Sequence, residues 1–437
     1  MMNLRRRLAP LVLAVLALAV AACATNPVTG KQQLILVSEE QELALGAQQY
    51  APSIQQSNGK ANDAALQAYV QRVGAGLAAV SHRPELPYEF TVVNANYLNA
   101  FALPGGKICI TRGLLSKMTT EDQLAGVLGH EIGHVTARHG AQGMTRSMIT
   151  QGLLAAGAIT LAATETRGAE MIVQAAGIGA QLVLLRYSRD QERQSDELGM
   201  EYMARAGYNP AGFVESMRLL ANANAHEPSK LEAMFQSHPL TSERIATAEA
   251  RAKEGYAPLL SRPVKSTEFV RAAQQMKAEI PAFRRADEGE KLLGQKRPRE
   301  SADAFAEAAR LAPDEAILPA LEALAQLATE DAAAARETAR RAVRLDGGLF
   351  HARLAAGLAA YRLKDHRDSL ENLLAAEKAA GATLPSTYLV GRNYEALGNR
   401  EEAARRYAVV AENAEPGPER DYCLRRLAEW GYYTPAR

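Results

Sequence analysis

Hydrophobic positions along the 437-residue chain fall into three successive patterns. An unbroken Leu/Ala/Val run over residues 11–20 follows Arg5, Arg6 and Arg7 and ends in Ala21-Ala22, the layout of a secretory signal and too short to span a bilayer. From Ser38 the spacing becomes that of alternating helices and short strands. Ser38-Glu39-Glu40-Gln41 is a capping-box pattern that predicts a helix toward Tyr50. A second helix is expected over about 63–80, a strand over 90–93, and a hairpin where Pro104-Gly105-Gly106 feeds the β-branched run at 108–111. Thr119-Thr120-Glu121-Asp122 then opens a helix with Leu124, Val127, Leu128, Ile132 and Val135 at amphipathic intervals. Two apolar stretches near 148–163 and 171–185 are short of a membrane span and rich in Ala, Gly and Gln, which predicts a helical hairpin packed on the domain.

The third pattern begins near residue 286 and is periodic. Phe305, Ala339, Leu373 and Tyr407 form one column at a step of 34 residues, and Ala308, Ala342, Ala376 and Val410 form another. Helix pairs with large and small packing positions at that period are similar to tetratricopeptide repeats, whose stacked helices build a solenoid with a concave partner-binding face.

Composition adds mainly exclusions. With 47% apolar and 23% charged residues the chain is an ordinary globular protein. Lys and Arg total 50 against 49 Asp and Glu, so the basic excess that phosphate binding needs is missing and nucleic acid is excluded as a partner. Of three cysteines, Cys23 follows the leader; Cys109 and Cys423 either pair or stay as two buried thiols, and the sequence leaves both open.

The chemistry concentrates in His130-Glu131-Ile132-Gly133-His134, inside the helix that starts near Glu121. Two imidazoles one turn apart on a helix can share a single Zn²⁺, with Glu131 beside it to take a proton from water. A catalytic zinc usually has a third protein ligand. The stretch after Tyr187 offers Glu192 and Asp196, again one turn apart on an expected helix; a ligand with an outer carboxylate suits a metal site, and a solvated charged face suits the same residues. No Gly-x-Ser-x-Gly elbow, P-loop or Cys-x-x-Cys pair competes with the metal motif.

Taken with Asn26-Pro27-Val28-Thr29-Gly30, Leu36-Val37-Ser38-Glu39-Glu40-Gln41-Glu42, Asn99-Ala100-Phe101-Ala102-Leu103-Pro104-Gly105-Gly106 and Ser237-His238-Pro239-Leu240-Thr241-Ser242-Glu243-Arg244-Ile245, these motifs give the chain its resemblance. It resembles the HtpX/CAAX-prenyl-protease-type zinc peptidases, most closely the BepA-type β-barrel assembly-enhancing proteases. The resemblance implies a mostly α fold with a small β-sheet, a gluzincin-type metalloprotease domain followed by an α-solenoid of tetratricopeptide repeats. It also implies His130, His134 and Glu192 as ligands of one Zn²⁺, Glu131 as general base, Asp196 orienting a ligand His, and His238 as a regulatory fourth ligand. Arg244 is expected to support that loop or the site. The other histidines, His82, His139, His226, His351 and His366, have no companion pattern and read as exposed or capping residues.

Domain boundaries follow: a signal at 1–22, a lipid-anchor tether at 23–37, the metalloprotease domain at 38–265, a linker at 266–285 and the solenoid at 286–437. Val20-Ala21-Ala22-Cys23 resembles a lipobox, which implies acylation of Cys23 and anchoring in the outer membrane, facing the periplasm. The expected function is degradation of misfolded or stalled outer-membrane proteins, with the β-barrel assembly machinery as a partner of the repeats. A substrate is expected to pair with the strand at 108–111. The alternative is a chaperone acting through its repeats with a latent zinc site.

Overall fold

The computed structural model describes residues 23–162, 186–226 and 228–433. The leader and the second arm of the apolar hairpin therefore lie outside the described residues. Two compact units divide the chain, one built from Met1–Tyr50, Ala64–Val92 and Tyr97–Gln274, the other from Ala51–Asp63, Val93–Asn96 and Gln275–Arg437. Among the described residues no helix is long and apolar enough to cross a membrane.

In the first unit, β1 (Cys23–Thr25) and β2 (Gln32–Leu34) pair antiparallel. Residues 23–37, expected as a tether, are instead docked on the unit. Asn26 is buried, its Oδ1 accepting from the Val28 and Thr29 amides at 2.8 and 3.0 Å and its Nδ2 donating to the Ala137 carbonyl at 3.2 Å. Leu34-Ile35-Leu36-Val37 alternates outward and inward, so Ile35 and Val37 enter the core. Helix α1 (Glu39–Gln56) starts with the expected reciprocal cap: Ser38 N–H donates to Gln41 Oε1 and Gln41 N–H to Ser38 Oγ. Helix α2 (Ala64–Ala78) buries Leu66, Val70, Val73 and Leu77 along one face.

The sheet is formed by β3 (Glu89–Val93), β4 (Ala100–Leu103) and β5 (Lys107–Thr111) in the order β3-β5-β4. Gly105 and Gly106 turn the β4–β5 hairpin at φ of 75° and 85°, a region that favours glycine. The order overturns one expectation. The strand at 108–111 is central, so its backbone edges are taken by two neighbours, and the outer positions belong to β3 and β4.

After α3 (Arg112–Lys117) comes α4 (Glu121–Thr136), every residue of which is buried. Its amphipathic sequence is thus enclosed on the polar side as well, with His130, Glu131 and His134 turned into the protein. The unit continues with α5 (His139–Ala162), α6 (Arg189–Arg205), α7 (Ala211–His226), α8 (Pro228–Ser237) and α9 (Ser242–Gly255). Backbones of α4 and α6 touch through glycines. A methyl on Gly129 would lie 3.0 Å from the Gly199 carbonyl oxygen, and one on Gly133 would lie 3.0 Å from Ser195 Cα. Within residues 266–285, the expected linker, α10 (Thr267–Ala272) and α11 (Gln274–Ala278) bury Phe269 and Met276.

The second unit begins its helix series with α12 (Ile280–Gly294) and α13 (Pro298–Leu311). It continues through α14 (Ile317–Ala328), α15 (Ala332–Leu345), α16 (Phe350–Arg362) and α17 (His366–Ala380). The series closes with α18 (Leu384–Ala396), α19 (Arg400–Asn413) and α20 (Pro418–Glu429). Both sequence columns are fully buried. The large residues Phe305, Leu373 and Tyr407 press on Gly289, Gly357 and Gly391 of the preceding helices, while Ala339 stands where the matching position is Ala323. Turns recur at the same period: Lys296, Glu330, Lys364 and Gly398 all have positive φ. Asp331, Asp365 and Asn399 then cap the next helix. Early segments join this unit, with Asn94 donating to Glu315 at 2.6 Å and the Phe350 amide to Gln55 at 2.8 Å. Cys109 and Cys423 are buried thiols, not a disulfide.

Candidate metal centre

Because α4 is enclosed, its polar side chains must find partners inside the protein or bind an ion. His130 and His134 project from successive turns toward α6, which Ser188 starts with a reciprocal capping box to Gln191. That start places Glu192 and Asp196 on the face that the Gly129, Gly133 and Gly199 contacts hold against α4. His238, directly after α8, adds a third imidazole to the same cluster.

One donor atom from each of His130, His134, Glu192 and His238 lies within 4.8 Å of all the others. His130 Nε2 is 3.0 Å from His134 Nε2 and 3.4 Å from His238 Nδ1. Glu192 Oε1 is 3.3 Å from His134 Nε2 and 3.0 Å from His238 Nδ1. Ligands about 2.0–2.1 Å from a tetrahedral Zn²⁺ are separated by about 3.3 Å, so the donor set has the dimensions of one four-coordinate ion. Charge agrees with geometry. Glu131, Glu192 and Asp196 bury three carboxylates against one buried guanidinium, Arg244; a divalent cation would neutralise that excess. Glu131 Oε2 is buried without a hydrogen-bond partner among the described residues. Nitrogen and carboxylate donors in this combination suit zinc.

Around this set, each element has a support. His130 Nδ1 lies 3.0 Å from Asp196 Oδ1, placed to donate its proton there and leave Nε2 for the ion. Arg244 donates to both Asp196 oxygens at 2.7 and 2.6 Å, lies 2.6 Å from Glu192 Oε2, and donates to the Pro239 carbonyl at 2.8 Å. It therefore braces both the site and the loop behind His238. Glu131, close to His238 Nε2 at 3.9 Å, receives a backbone hydrogen bond from Ala102 of β4.

Burial raises the Glu131 carboxyl above its usual range, opposed by His238 and His130. Burial also lowers His134 well below the usual imidazole value, keeping it neutral as a ligand must be. For Glu192 burial pushes upward, yet the charge of His238 and hydrogen bonds from His134 and His238 prevail and hold it ionised.

Two residues of the site have no motif. His139, expected at the surface, is buried, its Nδ1 2.9 Å from His134 Nδ1 and its Nε2 3.0 Å from Gln194 Oε1. Tyr187 stacks on the His134 ring with centroids 3.8 Å apart. Only the five-residue step from His134 to His139 hinted at the first, and nothing pointed to the second. His82 bonds the Tyr202 hydroxyl at 2.8 Å and His366 bonds Asn393 at 2.9 Å. His351 has a buried Nδ1, also against expectation, whereas His226 caps the Asn222 carbonyl.

Residues 64–252 match the profile of Peptidase family M48. A beta-barrel assembly-enhancing protease of Yersinia pestis is 30% identical over 223 residues, 50% of this chain and 45% of that protein. The protein of the same name from Escherichia coli K12 is 28% identical over 233 residues, 53% of this chain and 47% of its own. Metalloprotease LoiP of Escherichia coli K12 is 32% identical over 158 residues, 36% of this chain and 60% of its own. The chain spans about half the length of the assembly-enhancing relatives it matches.

Proposed function

We propose that this chain, which carries a Peptidase family M48 domain over residues 64–252, is a zinc endopeptidase. Its substrates are unfolded or misassembled outer-membrane proteins in the periplasm. The observation that carries the reading is the convergence of His130, His134 and Glu192 on one point with the Glu131 carboxylate beside it. Zinc held there would polarise a peptide carbonyl and acidify water. Glu131 takes the proton of the attacking water and returns it to the leaving amine. Asp196 and His139, hydrogen-bonding the far ring nitrogens of His130 and His134, fix the orientation of the two rings. An extended substrate would pair with the outer strand β4, whose Ala102 amide already reaches Glu131.

The outer-membrane assignment rests on the relatives named beta-barrel assembly-enhancing protease. In this reading acylated Cys23 anchors the chain to the outer membrane, and the repeats present clients or dock on the β-barrel assembly machinery. His238 serves as a reversible fourth ligand that keeps the enzyme latent. A second reading, an assembly factor whose zinc site rests closed, is favoured by His238 lying 3.0 Å from Glu192. Comparing wild type with Glu131→Gln in a deletion strain separates the two. Loss of both client degradation and barrier integrity in the variant supports the peptidase; full barrier function without degradation supports the assembly factor.

A further inference from the structure

In the repeat unit the first helices of successive repeats, α14, α16, α18 and α20, present matching positions at the repeat step, and on one face the chemistry of those positions changes along the series. Ala320 and Leu354 are followed by Tyr388 and Tyr422, and Leu324 and Leu358 by Arg392 and Arg426. The Tyr388 and Tyr422 rings meet edge to face with centroids 6.0 Å apart, so this face is continuous from α18 to α20. Its early half is apolar; its late half is aromatic and cationic.

Within the late half one cation stands apart. Half-buried Arg336 reaches Asp365 and Asp368 at 2.6 and 2.9 Å, Arg406 reaches Glu377 at 2.7 Å, and Arg426 pairs with Glu395 and Glu429. Arg392, also half-buried, has no carboxylate partner among the described residues. Its Nη1 donates to the Tyr388 hydroxyl at 2.8 Å, its guanidinium carbon lies 4.4 Å from the centre of the Tyr422 ring, and Tyr361 of α16 is close enough to act on its charge. The nearby Glu395 carboxylate is already engaged, accepting from the Tyr407 and Tyr422 hydroxyls at 2.6 and 2.8 Å besides its pairing with Arg426. Arg425 lies 5.5 Å from the Tyr422 ring and adds a second positive charge. The rings hold the Arg392 guanidinium in place and leave most of its N–H donors unused within the described residues. A guanidinium fixed in position, partly desolvated and without a counter-charge is a receptor for an anion, and its planar fork matches a carboxylate.

We propose that this face binds an extended polypeptide segment by seating a carboxylate on Arg392 and an apolar or aromatic side chain of the same segment on Tyr388 and the leucines of the preceding repeats, a reading that rests on the partner-binding role given above to the repeats and not on the metal centre. The carboxylate belongs either to an Asp or Glu side chain or to a chain terminus, since both offer the same pair of oxygens. Apolar contact supplies affinity, and the ion pair chooses among segments. A segment without the carboxylate covers Arg392 and leaves its desolvation uncompensated.

The test follows the fluorescence anisotropy of short labelled peptides on full-length Glu131→Gln protein, in which cleavage is blocked. One peptide is amidated and carries a leucine and a single glutamate; a second has glutamine in place of the glutamate; a third is the glutamine peptide with a free terminal carboxylate. A carboxylate is expected to tighten binding at least ~10-fold over the amidated glutamine peptide, the gain of a charge-assisted hydrogen bond over a neutral one. A gain by both carboxylate peptides shows that either source serves, and a gain by one alone assigns it. In the same background Arg392→Gln is expected to erase the gain and Arg392→Lys to restore part of it, which separates this face from a carboxylate bound at the metal. Equal binding of the three peptides, or a gain that survives both substitutions, would overturn the proposal. Cleavage by wild type keeps the levels apart: no cleavage of any peptide overturns the endopeptidase reading and leaves this face standing, whereas cleavage with equal binding overturns this face alone.

Discussion

Arg244 holds Asp196 with both ends of its guanidinium, Nε to Oδ2 at 2.7 Å and Nη2 to Oδ1 at 2.6 Å, and Asp196 in turn meets His130 Nδ1 at 3.0 Å. A residue of α9 thereby sets the orientation of the His130 ring on α4, a metal ligand in the proposed reading, through a carboxylate on α6. Its third nitrogen fixes the Pro239 carbonyl, so the brace of the ligand set also tethers the loop carrying His238.

Arg244→Lys keeps the charge and loses the planar fork. Metal affinity, read by chelator competition, is expected to fall ~10–100-fold as Asp196 loses its fixed orientation. An unchanged affinity would remove Arg244 from the support of the site.

His139 is the counterpart of Asp196 for His134, the second imidazole of the candidate site. Replacing it with Leu leaves His134 Nδ1 without its 2.9 Å partner, and metal affinity is expected to drop at least ~10-fold. His139→Gln, able to hydrogen-bond from a similar position, is expected to recover most of that loss. A merely space-filling His139 would give the opposite order.

Gly133 is the variable position before the second histidine of the motif, yet a methyl there would lie 3.0 Å from both Ser195 Cα and the Ser195 carbonyl oxygen. Gly133→Ala is expected to push α6 away from α4, costing about 1–3 kcal/mol in urea unfolding. Metal affinity should fall in the same variant because α6 carries Glu192.

In the repeat unit, His351 Nδ1 is buried without a hydrogen-bond partner among the described residues, and burial pulls the ring down to about 4. The folded value lies below the unfolded one, so the unfolded chain binds the extra proton. Stability is full above the ordinary imidazole range near 6.5 and is lost as pH falls toward 4. Urea melts of the full chain at pH 7 and pH 5 are expected to differ in the repeat-unit transition by about 2 kcal/mol from this group, with His351→Phe reducing the difference. A variant with the same pH response as wild type would contradict it.

How far the sequence could be read depended on whether the information was local. Two histidines one turn apart mark a candidate ion site because helix geometry alone brings them together, and Glu192 with Asp196 stands at the same spacing on a second helix. The packing columns at a step of 34 were legible because each repeat meets its neighbour through the same positions. His139 and Tyr187 were not, since their contacts with His134 depend on how the chain returns between residues 139 and 187. Strand order escaped for a related reason: β4 and β5 are both short and apolar, and nothing in that pattern says which lies in the middle. The docking of residues 23–37 likewise needed the Ala137 carbonyl, far away in sequence, to accept from Asn26.

The central claim is that two helices gather one divalent ion on His130, His134 and Glu192. Elemental analysis of the purified full-length chain, never exposed to chelator, tests it most directly. About one zinc per chain is expected, falling to a small fraction in a folded Glu192→Ala variant. Wild-type protein without stoichiometric metal, or a Glu192→Ala variant that keeps its full complement, would contradict the account.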